Sequence, residues 1–384
     1  MRHGWMMAGL LATGFCLTGF AVGAEQPPIR SERENFRIEV VAAGLEHPWS
    51  VAFLPDGRYL VMERPGRLRV IDADGRLDPR PVAGIPAVSA RGQGGLLDVV
   101  LHPGFAGNGW VYLSYAGAGE GGVGTEVLRG RWVSDRAGNR LVDVQVIYRQ
   151  WPKSDGGVHF GSRLVFDRAG LLHVTQGDRG EMARAQRLDD LAGKLVRLHD
   201  DGGIPADNPW RGVAGARPEI FSVGHRSMQG AALHPVTGEL WTHEHGPQGG
   251  DEINVARIGR NYGWPVITFG VNYGIGTKIG VGTQREGLEQ PLHQWTPSIA
   301  PSGMAFYTGD RFPGWRGNLF VGALKFQMLV RLELDGERVV REERLLTGRE
   351  GRIRDVRQGP DGLLYLLTDA SNGKLLRLVP VSTP

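Results

Sequence analysis

The stretch from Trp241 to Pro265, WTHEHGPQGGDEINVARIGRNYGWP, sets His243, Glu244 and His245 in alternation, then Gly246-Pro247 and Asp251-Glu252. Polar residues of these types in a glycine-rich loop suit a metal ion or an acid–base pair, and loops on a rigid scaffold often carry function. Two histidines are too few for a zinc site, and no third ligand is indicated. A second candidate is His159, in DGGVHFGSRLVF. A buried carboxylate such as Asp178, in QGDRG, would hold the tautomer of such a histidine and steady its imidazolium. His159 thus reads as a general base and Asp178 as its support.

The third group is cationic: Arg226 in GHRSMQG, Lys325 in GALKF, and Arg352 and Arg354 in GREGRIRDV. The last two are spaced for one side of a strand. Four cations in one cavity repel one another unless an anion fills it. Arginine pairs with planar carboxylates two bonds at a time, and lysine acts as a point charge. The ligand implied carries several carboxylates or phosphates. No Walker-type or GxGxxG loop opens a helix after a strand, so nucleotides fit poorly.

These residues need a scaffold, and a repeat supplies one. An apolar strand, a turn of Asp, Pro and Gly, and a second apolar strand recur from Val51, Val99, Leu164, Ala231, Met304 and Val356. The turns are hairpin signals. Six similar units in one chain point to an all-β fold, a six-bladed β-propeller of four-stranded antiparallel blades. The surplus length after each hairpin's second strand predicts long loops on one face. FRIEVVAAG, from Phe36, is a lone strand placed to complete the last blade beside KLLRLVP. AGAGEGGVGTEV, from Ala116, reads as a flexible loop. Each unit sends a polar group to a similar place, and Gln93, between glycines in RGQGGLLDV, belongs with this set.

Composition agrees. The chain is 41% hydrophobic and 22% charged, with 59 glycines and 23 prolines, as a turn-rich β protein would be. Residues 1–24 read as a signal peptide: Arg2 and His3 precede an apolar run, and small residues end at Ala24. Residues 25–35 read as an extended arm and 36–384 as one propeller domain. The expected location is the periplasm or the exterior. Cys16, the single cysteine, falls in the signal, which removes thiol catalysis and cysteine-held metals from the mature chain. A net charge of +3 is too mild for nucleic acid. No later segment is long and apolar enough to span a membrane.

HFGSRLVFDRAGLLHVTQGDRG, GHRSMQG, HEHGPQGGDEINVARIGRNYGWP, PSGMAFY and RIRDV with DGLLYLLTD together resemble the soluble pyrroloquinoline-quinone-dependent sugar dehydrogenases, closest to their shorter aldose branch. The resemblance runs in order through the mature chain and implies a six-bladed propeller. It implies that His159, in an HxxxR setting with Arg163, is the general base, that Asp178 supports it, and that Arg226 lies beside the quinone carbonyl. Gln93, Ser227, Tyr273, Lys325, Arg352 and Arg354 would hold the cofactor. The carbonyls of Gly246 and Pro247 would bind calcium at the quinone, and Glu252 with the Tyr262 carbonyl would bind a structural calcium. An aldose sugar is the implied substrate and a quinone or cytochrome the implied electron acceptor, with the enzyme a monomer or weak dimer. Where the glucose-specific branch has an asparagine and an acid, this chain has Ser227 and Val158, so glucose specificity is not carried over.

Each residue also has a plainer reading. His159 alone would cap a turn, Asp251-Glu252 would be a solvated turn, and Arg352 and Arg354 a solvated strand face. His102 and His234 read as turn residues, and the tryptophans as core. Two other functions compete: a calcium-dependent lactonase or esterase on a propeller, and a non-catalytic sugar- or protein-binding propeller. The first needs no quinone and leaves the four cations unexplained; the second predicts no cofactor.

Overall fold

The computed structural model describes Met1 and residues 27–381; the expected signal peptide, with Cys16 and its cleavage point, lies outside them. Six antiparallel sheets form the blades of a propeller. Their innermost strands are Pro48–Phe53, Leu96–Leu101, Gly161–Phe166, Met228–Leu233, Pro301–Phe306 and Ile353–Gln358. All six repeat units begin inside these strands. Four turn back through short connections such as that at Asp56-Gly57, where Gly57 holds a φ of 87° that a side chain would resist, and two, after Leu101 and Phe306, through longer segments with one turn of helix.

Two blades depart from the expected count of four strands. The first pairs only three, ending at Arg67–Ile71, with an isolated bridge from Ile71 to Leu77. The last has five, because the N-terminal strand Asn35–Leu45 closes the ring against Gly373–Pro380 and carries Ile29–Arg30 on its outer edge. Register runs Phe36 to Pro380, Ile38 to Leu378 and Val40 to Leu376. The first and last segments of the propeller thus share one sheet, and the closed ring leaves few open strand edges.

The interfaces between blades are the core. Trp315 packs edge-on to Phe36 and stacks on Phe312, and Trp241 meets Phe306 edge-on. Most tryptophans are core as expected, but Trp151 is 56% exposed. His102 and His234 are turn residues, each accepting a backbone N–H through Nδ1.

The stretch from Ala116 corrects the expectation of a flexible loop. It is the tip of a long hairpin, Trp110–Gly119 with Gly122–Asp135, in which Gly119 pairs with Gly122. Its glycines admit neighbours: a Cβ on Gly117 would stand 2.4 Å from the Glu126 carboxyl carbon, and the Lys153 ammonium donates to the Gly117 carbonyl at 3.0 Å. The long loops also differ from expectation. Two of the longest, 199–219 and 257–292, join the third and fourth strands of their blades.

The innermost strands run between two axial cavities. Leu97, Gly161 and Gln229 line one, and Leu101, Phe166 and Leu233, farther along the same strands, line the other. Between them lies a buried quartet of charges. Arg163 is 3.4 Å from Asp98 and 3.0 Å from Asp355, and Arg357 is 2.8 Å and 3.0 Å from the same two carboxylates. Asp98 also accepts the Leu164 N–H and Asp355 the Val51 N–H, so this plug ties four blades together.

Candidate active site

The first axial cavity, of about 520 Å³, collects most of its polar groups by one rule. They stand just before an innermost strand or just after the second strand of a blade. His47, Gln93 and Arg352 take the first place; Arg64, Lys325 and Asp369 take the second. Among the described residues, four cations, Arg64, Lys325, Arg352 and Arg354, face it against a single carboxylate, Asp369. Both oxygens of Asp369 are engaged, one by His47 at 2.9 Å and the other by Arg354 at 2.6 Å and Arg352 at 3.4 Å. The wall is therefore electropositive and rich in donors, which suits a planar polyanion.

His159 does not itself line this cavity but directly precedes two residues that do, Phe160 and Gly161. Its backbone is left-handed, with φ 52°, and its N–H donates to Gln93 Oε1 at 2.8 Å. Nδ1 lies 2.6 Å from Asp178 Oδ1. That oxygen also accepts the Gly180 N–H, and Oδ2 accepts the Trp264 indole N–H at 2.7 Å. Burial pushes the Asp178 carboxyl up, but the bonds from His159, Gly180 and Trp264 outweigh it and hold the carboxyl below its usual range. An ionised Asp178 accepts the Nδ1 proton, so the lone pair of the neutral ring is on Nε2, where a base needs it. Arg179, whose role was missed from sequence, stacks on Phe160 and donates to the carbonyls of Gly156 and Val158, fixing the turn that presents His159. Its position beside Asp178 was the one available clue.

Arg226 does not share the large cavity. It lines a small neighbouring one with Glu244, Glu252, Tyr262 and Trp264, and His245 lines both. Arg226 donates to the His245 carbonyl at 3.1 Å, lies over the Trp264 ring, and accepts the Asp178 N–H through its own carbonyl at 2.8 Å. Ser227 is buried, its Oγ accepting from Gln229, and lines neither cavity. Tyr273 also lines neither and is 67% exposed.

The loop after Glu244 is a tight cradle. A Cβ on Gly246 would meet the carbonyl oxygens of Gly249 at 2.2 Å and Gly250 at 2.3 Å. Asp251 ties the cradle internally, accepting the N–H groups of Gly246, Ile299 and Ala300. Glu252 pairs in register with Glu244 on the next strand. Glu244 is satisfied by His225 and the Arg226 N–H. Glu252 has only a 3.5 Å contact from Asn254, and burial and the neighbouring Glu244 push its carboxyl up to about 8. A half-buried carboxyl with so little compensation, facing a cavity of about 10 Å³, invites one small cation. The oxygens available, carboxylates and carbonyls, suit a hard ion. Among the described residues, no three His, Cys, Asp or Glu side chains converge as a metal cluster.

The two histidines of the loop do not form a metal site. His243 is buried against Gly230, and its ring nitrogens have no protein partner. His245 donates from Nε2 to the Pro301 carbonyl at 2.6 Å, and burial, with Arg226, His159 and Arg354 nearby, pushes it down to about 3.

The sequence profile of the glucose/sorbosone dehydrogenase family matches residues 45–377. The chain belongs to this family. Membership makes it an enzyme of oxidoreductase type, as the names of its relatives agree. Aldose sugar dehydrogenase YliI of Escherichia coli is 49% identical over 347 residues, covering 89% of this chain and 92% of that protein. The crystal structure of the apo form of the soluble E. coli aldose sugar dehydrogenase matches 90% of this chain and all of its own, with a TM-score of 0.86 and 48% identity. A PQQ-bound aldose sugar dehydrogenase from Streptomyces coelicolor matches 89% of this chain and 98% of its own, with a TM-score of 0.73 and 29% identity. The glucose/sorbosone dehydrogenase family thus includes a member seen with the quinone. Among the described residues, no helix is long and apolar enough to cross a membrane.

Proposed function

We propose that this enzyme oxidises aldose sugars at the anomeric carbon to lactones, using pyrroloquinoline quinone and calcium. The observation that carries the reading is the His159–Asp178 pair beside a cavity walled by four cations. A planar tricarboxylate answers that wall, with Gln93, Lys325, Arg352 and Arg354 as its holders. Calcium answers the Gly246-Pro247 cradle and, at a second position, Glu252 with the Tyr262 carbonyl.

When bound, the quinone is the hydride acceptor and calcium the Lewis acid that polarises it. The chain supplies the rest. His159 Nε2 takes the proton of the anomeric hydroxyl as the hydride leaves the same carbon. Asp178 keeps Nδ1–H in place and stabilises the imidazolium that forms. Arg226, held by the His245 carbonyl and the Trp264 face, would add fixed positive charge from the small neighbouring cavity as negative charge develops. Phe160 and Trp49 give the cavity apolar surface that limits water. With Ser227 and Val158 where the glucose-specific branch has an asparagine and an acid, the reading takes in aldoses beyond glucose.

The leader composition supports export to the periplasm or beyond, and a quinone or cytochrome would take the electrons from a monomer or weak dimer. A lactonase would have no use for the cationic wall. Quinone titration of the calcium-treated apoprotein, followed by dye reduction with a panel of aldoses, tests the reading.

A further inference from the structure

His47 repeats the setting of His159 on another blade. It stands just before the innermost strand of the first blade, as His159 does in the third. Both have left-handed backbones, φ 46° and 52°. Both offer Nδ1 to an aspartate that follows the second strand of a blade, at 2.9 Å in one case and 2.6 Å in the other. The difference lies in the surroundings. Asp178 is shared with neutral donors, Gly180 and Trp264. Asp369 is shared with Arg354 and Arg352, so His47 belongs to the cationic wall.

We propose that His47 is a further ligand of the anionic cofactor, joining the proton and the anion at one wall; this rests on the quinone reading above. His47 lines the large cavity, and its side chain is 35% exposed. Its N–H is fixed to the Ala370 carbonyl and its own carbonyl to the Arg64 N–H, so the ring is placed from both sides. With Nδ1 donating to Asp369, Nε2 has no hydrogen-bond partner among the described residues and is left free for a ligand.

The charged groups around it decide its behaviour. Arg352, Arg354 and Arg64 oppose a charge on the ring, and Asp369 favours one. Glu46 precedes it in the chain but pairs with Arg67, and Glu63 pairs with Arg67 and Arg69. A carboxylate arriving in the cavity adds a second anion beside the ring and so favours its protonation. Linkage makes the effect mutual: the protonated ring binds the anion more tightly. The same architecture thus serves a base at His159 and an anion ligand at His47, because their aspartates have different partners.

The test is quinone binding by the calcium-treated apoprotein, read from quenching of tryptophan fluorescence and from calorimetry, near pH 6 and near pH 8. The variants are His47→Gln, which donates but takes no charge, and His47→Ala; melting curves verify that both fold. Wild type is expected to bind more tightly near pH 6. His47→Gln should lose most of that gain, and His47→Ala should bind about tenfold more weakly than wild type near pH 6, the worth of one charge-assisted bond. Variants that bind as wild type at both pH values, or a His47→Gln that keeps the whole gain, would overturn the role of His47 alone. A wild type that binds no quinone would overturn the cofactor reading and this one with it.

Discussion

His159 and Asp178 are joined by a 2.6 Å contact between Nδ1 and Oδ1, and the rest of the Asp178 carboxylate is fully engaged. Its second oxygen is held by the Trp264 indole and its first is shared with the Gly180 N–H. The aspartate is thus an orienting group with no oxygen to spare for substrate.

Asp178→Asn keeps the shape and removes the charge. The amide cannot enforce Nδ1–H, and the imidazolium loses its counter-charge. Turnover should fall by roughly 10² to 10⁴, with quinone affinity nearly unchanged. Steady-state dye reduction and quinone titration measure the two quantities separately.

Trp264→Phe keeps a ring beneath Arg226 and deletes the donor to Asp178. The Asp178 carboxyl is held low by its donors, so removing one lets it rise. A depressed carboxyl contributes stability above its unfolded value, and that stability is lost as pH falls through the folded value. The acid limb of both the pH–rate profile and the pH–melting curve should therefore move to higher pH. Unmoved limbs would show that the indole bond does not tune the pair.

Calcium should stabilise the protein more at high pH than at low. In the metal-free protein the Glu252 carboxyl is raised to about 8. A raised carboxyl contributes stability that is full below its unfolded value and is lost as pH rises through the folded one. Chelation should therefore lower the melting temperature more near pH 8 than near pH 5. Glu252→Gln should remove most of that difference, as differential scanning calorimetry would show.

The plug of Asp98, Arg163, Asp355 and Arg357 is structural as well as axial. Asp98→Ala leaves Arg357 and Arg163 each short of a partner and frees the Leu164 N–H. Breaking a buried pair of this kind costs about 3–5 kcal/mol. Urea unfolding should show the loss as a lower midpoint.

Much of this was legible in the sequence because a propeller repeats. The six hairpin units locate the six innermost strands, and Phe36 and Lys374 mark the segments that close the ring. The same periodicity places Gln93, Lys325, Arg352 and Arg354 on one wall. Residues whose roles depend on contacts across blades were not legible. His47 drew no notice in the sequence, since its partner Asp369 comes from the last blade. The tip near Ala116 looked like a loop because glycine is a poor strand former, yet it pairs in register where Lys153 and Glu126 need the space. Asp251 looked like a ligand or solvated turn, and its backbone partners come from Ile299 and Ala300 far along the chain.

One experiment bears most directly on the central claim. The purified apoprotein is given calcium and pyrroloquinoline quinone, then offered a panel of aldoses with an artificial electron-accepting dye. The proposed chemistry predicts saturable quinone binding, dye reduction with several aldoses, and lactone as product. His159→Ala should still bind the quinone while its turnover is abolished. Wild type that binds no quinone and oxidises no sugar, or His159→Ala that turns over like wild type, would contradict it.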